Sequence, residues 1–222
     1  KQSNVDGSYA MYNVIDGTDA GDNIQAVNGI LNWVNGGNGD DVIVGGNKYD
    51  MLAGNAGNDT ITATVAAQIF GGEDNDVINA VSGSFVDGGL GNDTINVEGG
   101  SNTILFVNTG VAAEDYKKTG NDILNGATST DRLVFALGKP GEKTGYSISE
   151  LSFRQGEGEK ANSLLVSAGD YTLEITDYFT AENVPADNVP TDFYMTEGKL
   201  HLEWKQSNVD GSYAMYNVID GT

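Results

Sequence analysis

The chain has 222 residues, enough for one sizeable domain or two small ones, and carries 32 Asp and Glu against 11 Lys and Arg, a net charge of −21. That balance excludes a nucleic-acid binder, which needs clustered Lys and Arg, and its self-repulsion calls for a cation partner if the chain is to be compact. Cysteine is absent, so there is neither a disulfide framework nor a thiolate metal site. There is no apolar run long enough for membrane insertion and no signal peptide at the start. The 39% of hydrophobic residues, regularly spaced, speak against disorder.

The first eighteen residues, Lys1 to Thr18, recur unchanged as Lys205 to Thr222, a period of 204 residues. A piece of a tandem array has such ends, and so does a deliberate duplication. The duplicated segment is strand-like and resembles no tag, which favours an array whose partners are neighbouring copies of the same repeat. Its apolar positions (Val5, Tyr9, Met11, Val14, Ile15 and their copies Val209, Tyr213, Met215, Val218, Ile219) are too many for a solvated linker. Tyr9 to Ile15 is therefore predicted to lie as a strand on the first coil of the chain. Residues 205–222 are predicted to extend the segment before them or to pair with another molecule.

From Gly17 to Val134 a nine-residue pattern runs through the chain. Three units are contiguous, GGNGDDVIV from Gly36, GGNKYDMLA from Gly45 and GNAGNDTIT from Gly54. Others begin at Gly71 and Gly88, a degenerate unit opens the series at Gly17, and TGNDIL and GATSTDRLV close it. The sixth position is always Asp (Asp22, Asp41, Asp50, Asp59, Asp76, Asp93, Asp122, Asp131) and the eighth always Ile or Leu. Gly and Asn tolerate positive φ and make a turn, and the three residues after it make a short strand with one inward aliphatic. Asp22, Asp41, Asp59, Asp76 and Asp93 are 19, 18, 17 and 17 residues apart, so with two turns per coil they stack in one column. The opposite column holds Gly29–Trp33, the Asp50 turn, Thr64–Gln68, Ser82–Ser84 and Glu98–Asn102. Only the Asp50 turn there is of the same kind, with Lys48 where Gly is expected. Asp122 comes 29 residues after Asp93, one further coil with an excursion near Val111–Thr119.

The nonapeptide resembles the GGxGxDxUx repeat of RTX proteins, a calcium-binding parallel β-helix motif. The resemblance implies an all-β fold, a parallel β-roll over residues 19–135, with residues 1–18 as a leading strand segment. It also implies a file of calcium ions between successive layers. Calcium is a hard ion wanting six to eight oxygens, which carboxylates at position six and carbonyls from positions one to four can supply. Ligand candidates are the eight aspartates together with Gly17, Asp19, Gly36, Asn38, Gly54, Ala56, Gly71, Glu73, Gly88 and Leu90. The file is expected to hold at least four calcium ions, with a fifth between the Asp93 and Asp122 turns, and the Asp50 site is expected to be weak or empty.

After Phe135 the pattern stops. β-rich runs follow at Tyr146–Phe153, Ser163–Ser167, Tyr171–Phe179, Asp192–Met195 and Lys199–Trp204. Asn162 to Phe179 looks like the β segment that follows RTX repeats in secreted proteins, so residues 136–204 are expected to form a β-rich cap, with 205–222 as the start of the next repeat. His201 is the lone histidine and supports neither a zinc site nor a Ser-His-Asp triad. Trp33 and Trp204, with Tyr9, Tyr12, Tyr146 and Tyr171, read either as a sugar-stacking surface or as core. Thr60–Thr64 suggests an ice-binding row, but position three reads Asp19, Asn38, Ala56, Glu73 and Leu90, which removes it. The resemblance implies a non-enzymatic calcium-stabilised spacer of a large secreted bacterial surface adhesin, exported by type I secretion and serving cell adhesion and biofilm. The alternatives are a glycan- or ligand-binding module and a targeting module attached to a secreted enzyme.

Overall fold

A computed structural model of the chain describes residues 2–3, 9–10, 12–106, 120–135, 146–181, 184–195, 198–206 and 213–220. Its strands are short because each nonapeptide bends the chain after a few residues. The bends have positive φ at position two (Gly37, Asn55, Gly72, Gly89) and again at position four (Gly39, Gly57, Asp74, Gly91, Gly120). This is a conformation that Gly adopts freely and that Asn and Asp tolerate better than other residues.

Successive coils therefore fall into two parallel sheets. The first holds β4 (Asn23–Gln25), β6 (Val42–Gly45), β8 (Thr60–Ala63), β10 (Val77–Val81), β12 (Thr94–Glu98) and β14 (Gly120–Asn125). The facing sheet holds β3 (Tyr12–Asp16), β5 (Leu31–Asn38), β7 (Met51–Ala56), β9 (Gln68–Glu73), β11 (Phe85–Gly89), β13 (Thr103–Leu105) and β15 (Arg132–Val134). A two-stranded stub, β1 (Gln2–Ser3) against β2 (Tyr9–Ala10), stands apart. The chain is a parallel β-roll, and the duplicated segment provides its first strand, β3.

Register puts the aliphatics of position eight in rows. Ile24, Ile43, Ile61, Ile78, Ile95 and Leu124 align across the first sheet. Ile15, Val34, Leu52, Ile69, Val86, Ile104 and Leu133 align across the other. From Val34 onward these side chains are fully buried. Each contributes roughly 1.5–3 kcal/mol of apolar burial, so the core is two facing rows of one aliphatic per strand.

The cap continues both sheets. In the first, β18 (Tyr171–Ile175) adds parallel to β14, then β17 (Leu164–Ala168) and β16 (Ser152–Gln155) add antiparallel. In the facing sheet, β19 (Asp192–Met195) adds parallel to β15, followed by antiparallel β20 (Gly198–Gln206) and β21 (Tyr213–Asp220). The core becomes aromatic here. Phe106 stacks on Phe135 (5.0 Å between centroids), Phe153 meets Phe193 edge-on (5.1 Å), and Tyr146 stacks on Tyr171 (6.3 Å). Tyr146 and Tyr171 are buried, which removes them from any sugar-stacking surface.

The expected strand Tyr146–Phe153 is corrected as well. Ile148–Glu150 is a 3₁₀ turn, and the strand begins at Ser152. Glu150 reaches back to accept hydrogen bonds from the Ser147 amide (2.9 Å) and hydroxyl (3.1 Å), a local closure that competes with extension. Among the described residues no helix is long and apolar enough to cross a membrane.

Candidate metal centre

The turns leading into the first sheet carry Asp22, Asp41, Asp59, Asp76, Asp93 and Asp122 in one file. Each of the first five passes a hydrogen bond to the next layer. The amide of Asp22 donates to Oδ1 of Asp41 (2.8 Å), Asp41 to Asp59 (2.8 Å), Asp59 to Asp76 (2.8 Å), Asp76 to Asp93 (3.1 Å) and Asp93 to Asp122 (2.9 Å). Asp41, Asp59, Asp76, Asp93 and Asp122 are each about 1% exposed. One oxygen of every inner carboxylate thus ties two layers together. The Oδ2 atoms of Asp41, Asp59 and Asp76 are buried without a hydrogen-bond partner.

The two ends of the file differ from its interior. At the first, Oδ2 of Asp22 accepts from the Thr18 amide (2.6 Å) and hydroxyl (2.8 Å). At the other, the buried Tyr171 hydroxyl donates to Oδ2 of Asp122 (3.0 Å), a phenol standing where a further layer would begin. Positions one to three of the Asp122 turn, residues 117–119, lie outside the described residues.

The orphaned oxygens point into small cradles. A Cβ built on Gly36, Gly54 or Gly71 would collide with Oδ2 of Asp41, Asp59 or Asp76 in the same turn, and with the carbonyl oxygen of Gly54, Gly71 or Gly88 in the next layer. A Cβ on Gly17 would likewise strike the Gly36 carbonyl. Carboxylate and carbonyl oxygens from adjacent layers therefore border one space, the donor set of a hard cation. Among the described residues no three carboxylates or imidazoles converge on one point, so main-chain carbonyls must complete any coordination shell. Asp19, Asn38 and Glu73 are exposed, while Ala56 and Leu90 are partly buried. With side chains this varied, position three could contribute only through its carbonyl.

Burial also sets the charge state. It pushes the Asp76 carboxyl up to about 8 and that of Asp59 up to about 6, with neighbouring carboxylates raising both and the accepted amide hydrogen bond opposing the rise. Without a cation the folded state keeps these protons to a higher pH than an exposed carboxyl would.

The opposite edge has aspartates without this problem. Asp50 accepts at Oδ1 from the Asn32 amide (2.8 Å) and side chain (3.0 Å), and at Oδ2 from the amides of Gly46 (3.1 Å) and Asn47 (2.9 Å). Asp131, grouped with the ligand candidates, also belongs to this edge. Asn102 occupies its Oδ1 (2.8 and 3.0 Å) and Thr128 its Oδ2 (2.7 and 3.1 Å). Both carboxylates are saturated by N–H and O–H donors. Ala67 and Ser84 occupy the same column between them.

Two amide ladders flank the file. At position five Asp40, Asn58, Asn75, Asn92 and Asn121 pass hydrogen bonds of 2.7–3.4 Å from layer to layer. At position nine Thr62, Asn79, Asn96 and Asn125 do the same and end on Thr176. The recurrence of Asn at these two positions was the available signal, masked by its ordinary reading as a turn former.

The family model of the RTX calcium-binding nonapeptide repeat matches residues 34–64, 68–84 and 84–104, with four copies. These residues are RTX calcium-binding nonapeptide repeats. No curated protein matches it. Among solved structures it is similar to the extracellular lipase LipA from Serratia marcescens, at 17% identity with a TM-score of 0.31, over 82% of this chain and 40% of that one. The chain thus spans less than half the length of that lipase.

Replacing Asp59 and Asp50 by Ala should separate the two edges of the RTX roll. Asp59→Ala should lower calcium affinity in titration calorimetry by at least about tenfold, and more than Asp22→Ala, whose Oδ2 is already satisfied. Asp50→Ala should leave calcium stoichiometry unchanged and destabilise the loaded roll by about 1–3 kcal/mol through unsatisfied donors.

A pH dependence arises from the raised pKa values of Asp59 and Asp76. The folded, calcium-free state binds more protons than the unfolded chain, whose carboxylates titrate near 3.8. Its stability is therefore present at about pH 4 and lost as pH rises through about 6 to 8. Thermal melts in chelator should show a falling Tm over that range; a rising one would contradict it.

Proposed function

We propose that this chain is a structural spacer, a calcium-stabilised repeat of a large secreted bacterial surface protein of the adhesin kind. The observation that carries the reading is the file of buried carboxylates, in which Oδ2 of Asp41, Asp59 and Asp76 has no donor and lies in a cradle that a Cβ would fill. On this reading the layers of Asp22, Asp41, Asp59, Asp76 and Asp93 would hold four calcium ions in single file, with a fifth between the Asp93 and Asp122 turns. The carboxylates repel one another until calcium is bound, and each ion joins two layers, so binding and folding are coupled. Extracellular calcium modules work at about 10⁻⁴ to 10⁻³ M, which suits folding outside the cell. The spacer has no catalytic residue of its own. His201 Nδ1 lies 2.6 Å from Oδ1 of Asp192, beside the Lys199–Asp192 ion pair (3.1 Å), in the manner of a strand-pairing contact. The identical segments at residues 1–18 and 205–222 support tandem repetition.

A second reading, glycan binding, is favoured by one feature. Tyr12, Leu31, Trp33, Tyr49, Met51 and Gln68 line an open hollow of about 400 Å³ on the facing sheet. Trp33 is 46% and Tyr49 60% exposed there. Trp204 and Tyr9 have side chains outside the described residues.

Circular dichroism in calcium and in excess EDTA at pH 7.5 should show reversible loss of the β signal, and native mass spectrometry should count four or five calcium ions. A β spectrum unchanged by chelator would sink coupled folding. A glycan array probed with the folded chain should be blank for a spacer, and a hit abolished by Trp33→Ala would move the assignment to a lectin.

A further inference from the structure

The duplicated segment is seen twice, and its two copies have different partners. Near the start of the chain Tyr12–Asp16 is β3, the edge strand of the facing sheet, parallel to β5. The same residues recur within β21, the opposite edge strand of that sheet, antiparallel to β20. We propose that in the tandem array these are one strand, shared by two repeats, so that the facing sheet runs without a break from each repeat into the next. This rests on the tandem-spacer reading above.

The hydrogen-bonding edges allow it. Along a strand, successive residues present their N–H and C=O groups to alternate edges. Gly17 donates to the Asn35 carbonyl (2.7 Å), so Asn13, Ile15 and Gly17 address β5. Tyr12, Val14 and Asp16 then face the edge left vacant among the described residues. In the cap, Leu202 donates to the Thr191 carbonyl (2.8 Å), so the even-numbered residues of β20 address β19 and its odd-numbered residues address β21. Those odd residues, Lys199, His201, Glu203 and Lys205, are registered on Asp220, Val218, Tyr216 and Ala214. In the first copy these four are Asp16, Val14, Tyr12 and Ala10. The cap uses the edge that β3 leaves vacant, and β5 uses the edge that β21 leaves vacant.

Direction and face agree as well. β21 is antiparallel to β20, which is antiparallel to β19, so β21 runs parallel to every strand of the roll and a following β5 can add to it parallel. Ile15 packs on the core from β3, and Ile219, its copy, is in register with Leu200, whose side chain is buried.

The strand count supplies an independent check. Among the described residues the first sheet has nine strands and the facing sheet ten. If β21 and the next β3 are the same strand, each sheet contributes nine strands per repeat and the two stay in step. The edge of β16 then falls one strand spacing from the next β4. Two separate strands at the joint would put the sheets out of step by one. Nine steps of about 4.8 Å give an axial length of about 43 Å per repeat.

The test compares the 222-residue chain with a longer chain in which residues 1–204 occur twice before the closing segment, both saturated with calcium. Amide hydrogen exchange is read by NMR. In the 222-residue chain Asn13, Ile15 and Gly17 should exchange slowly and Tyr12, Val14 and Asp16 fast. At its other end Tyr216, Val218 and Asp220 should be slow, and Asn217 and Ile219 fast. In the inner copy of the longer chain all of these positions should be slow, the formerly vacant edge gaining at least about tenfold protection. Small-angle scattering should show the maximum dimension growing by about 43 Å per added repeat. An inner copy protected on one edge only would overturn the shared strand and leave the tandem array standing, its repeats hinged at the joint. A parent protein with a single copy would overturn the array itself, whatever the exchange pattern.

Discussion

Like charges held one layer apart are the constraint on which the rest of this structure depends. The hydrogen-bonded backbone sets the distance between coils at about 4.8 Å, and the sixth position of each turn places a carboxylate at every level of one edge. At an effective dielectric of about 20, two such charges repel by roughly 3.5 kcal/mol. The fold cannot spread them apart without giving up its ladder. It uses one oxygen of each inner aspartate to bind the neighbouring amide and leaves the other facing its own turn. A cation between layers is the remedy that satisfies charge and oxygen together, and protonation is the one available without it.

The two edges show that an aspartate at position six does not by itself make a metal site. Asp50 and Asp59 occupy the same place in consecutive nonapeptides. In the Asp59 turn positive φ falls at positions two and four, and the position-one glycine and its carbonyl are left beside the carboxylate. In the Asp50 turn positive φ falls at Tyr49, position five, and the chain closes tightly, with the Asp50 amide donating to the Asn47 carbonyl (3.2 Å). The Gly46 and Asn47 amides then turn inward onto Oδ2. Backbone conformation decides whether the carboxylate meets N–H donors or carbonyl oxygens, and only the second arrangement suits a cation.

That difference separates the legible part of the sequence from the rest. The intervals from Asp22 to Asp93 were legible as one column because coil length is a matter of counting, and the inward aliphatics emerged from the same count. Asp131 could not be given an edge because its motif letters fit either one, and the excursion before Asp122 broke the count that would have assigned it. The asparagine ladders went unread because Asn in a turn already has an explanation, so its second role adds nothing visible to the pattern. Ser147 and Glu150 form a local signature three residues apart that was passed over in favour of β-rich texture. Tyr171 could not have been placed on Asp122 from the sequence, since that contact joins residues 49 apart through the parallel pairing of β14 with β18.

The strands lie across the long direction of the roll, so their backbone hydrogen bonds point along it. A pull on the two ends therefore loads those bonds in opening, one rung after another, instead of shearing many at once. Rungs opened singly give way at low force, and a rod built of them alone would peel. The bonds carried by the file of aspartates and by the asparagine ladders lie in the same direction and share each rung's load, as would any ion seated between two layers. Tensile strength in this architecture is thus a property of the turn edge.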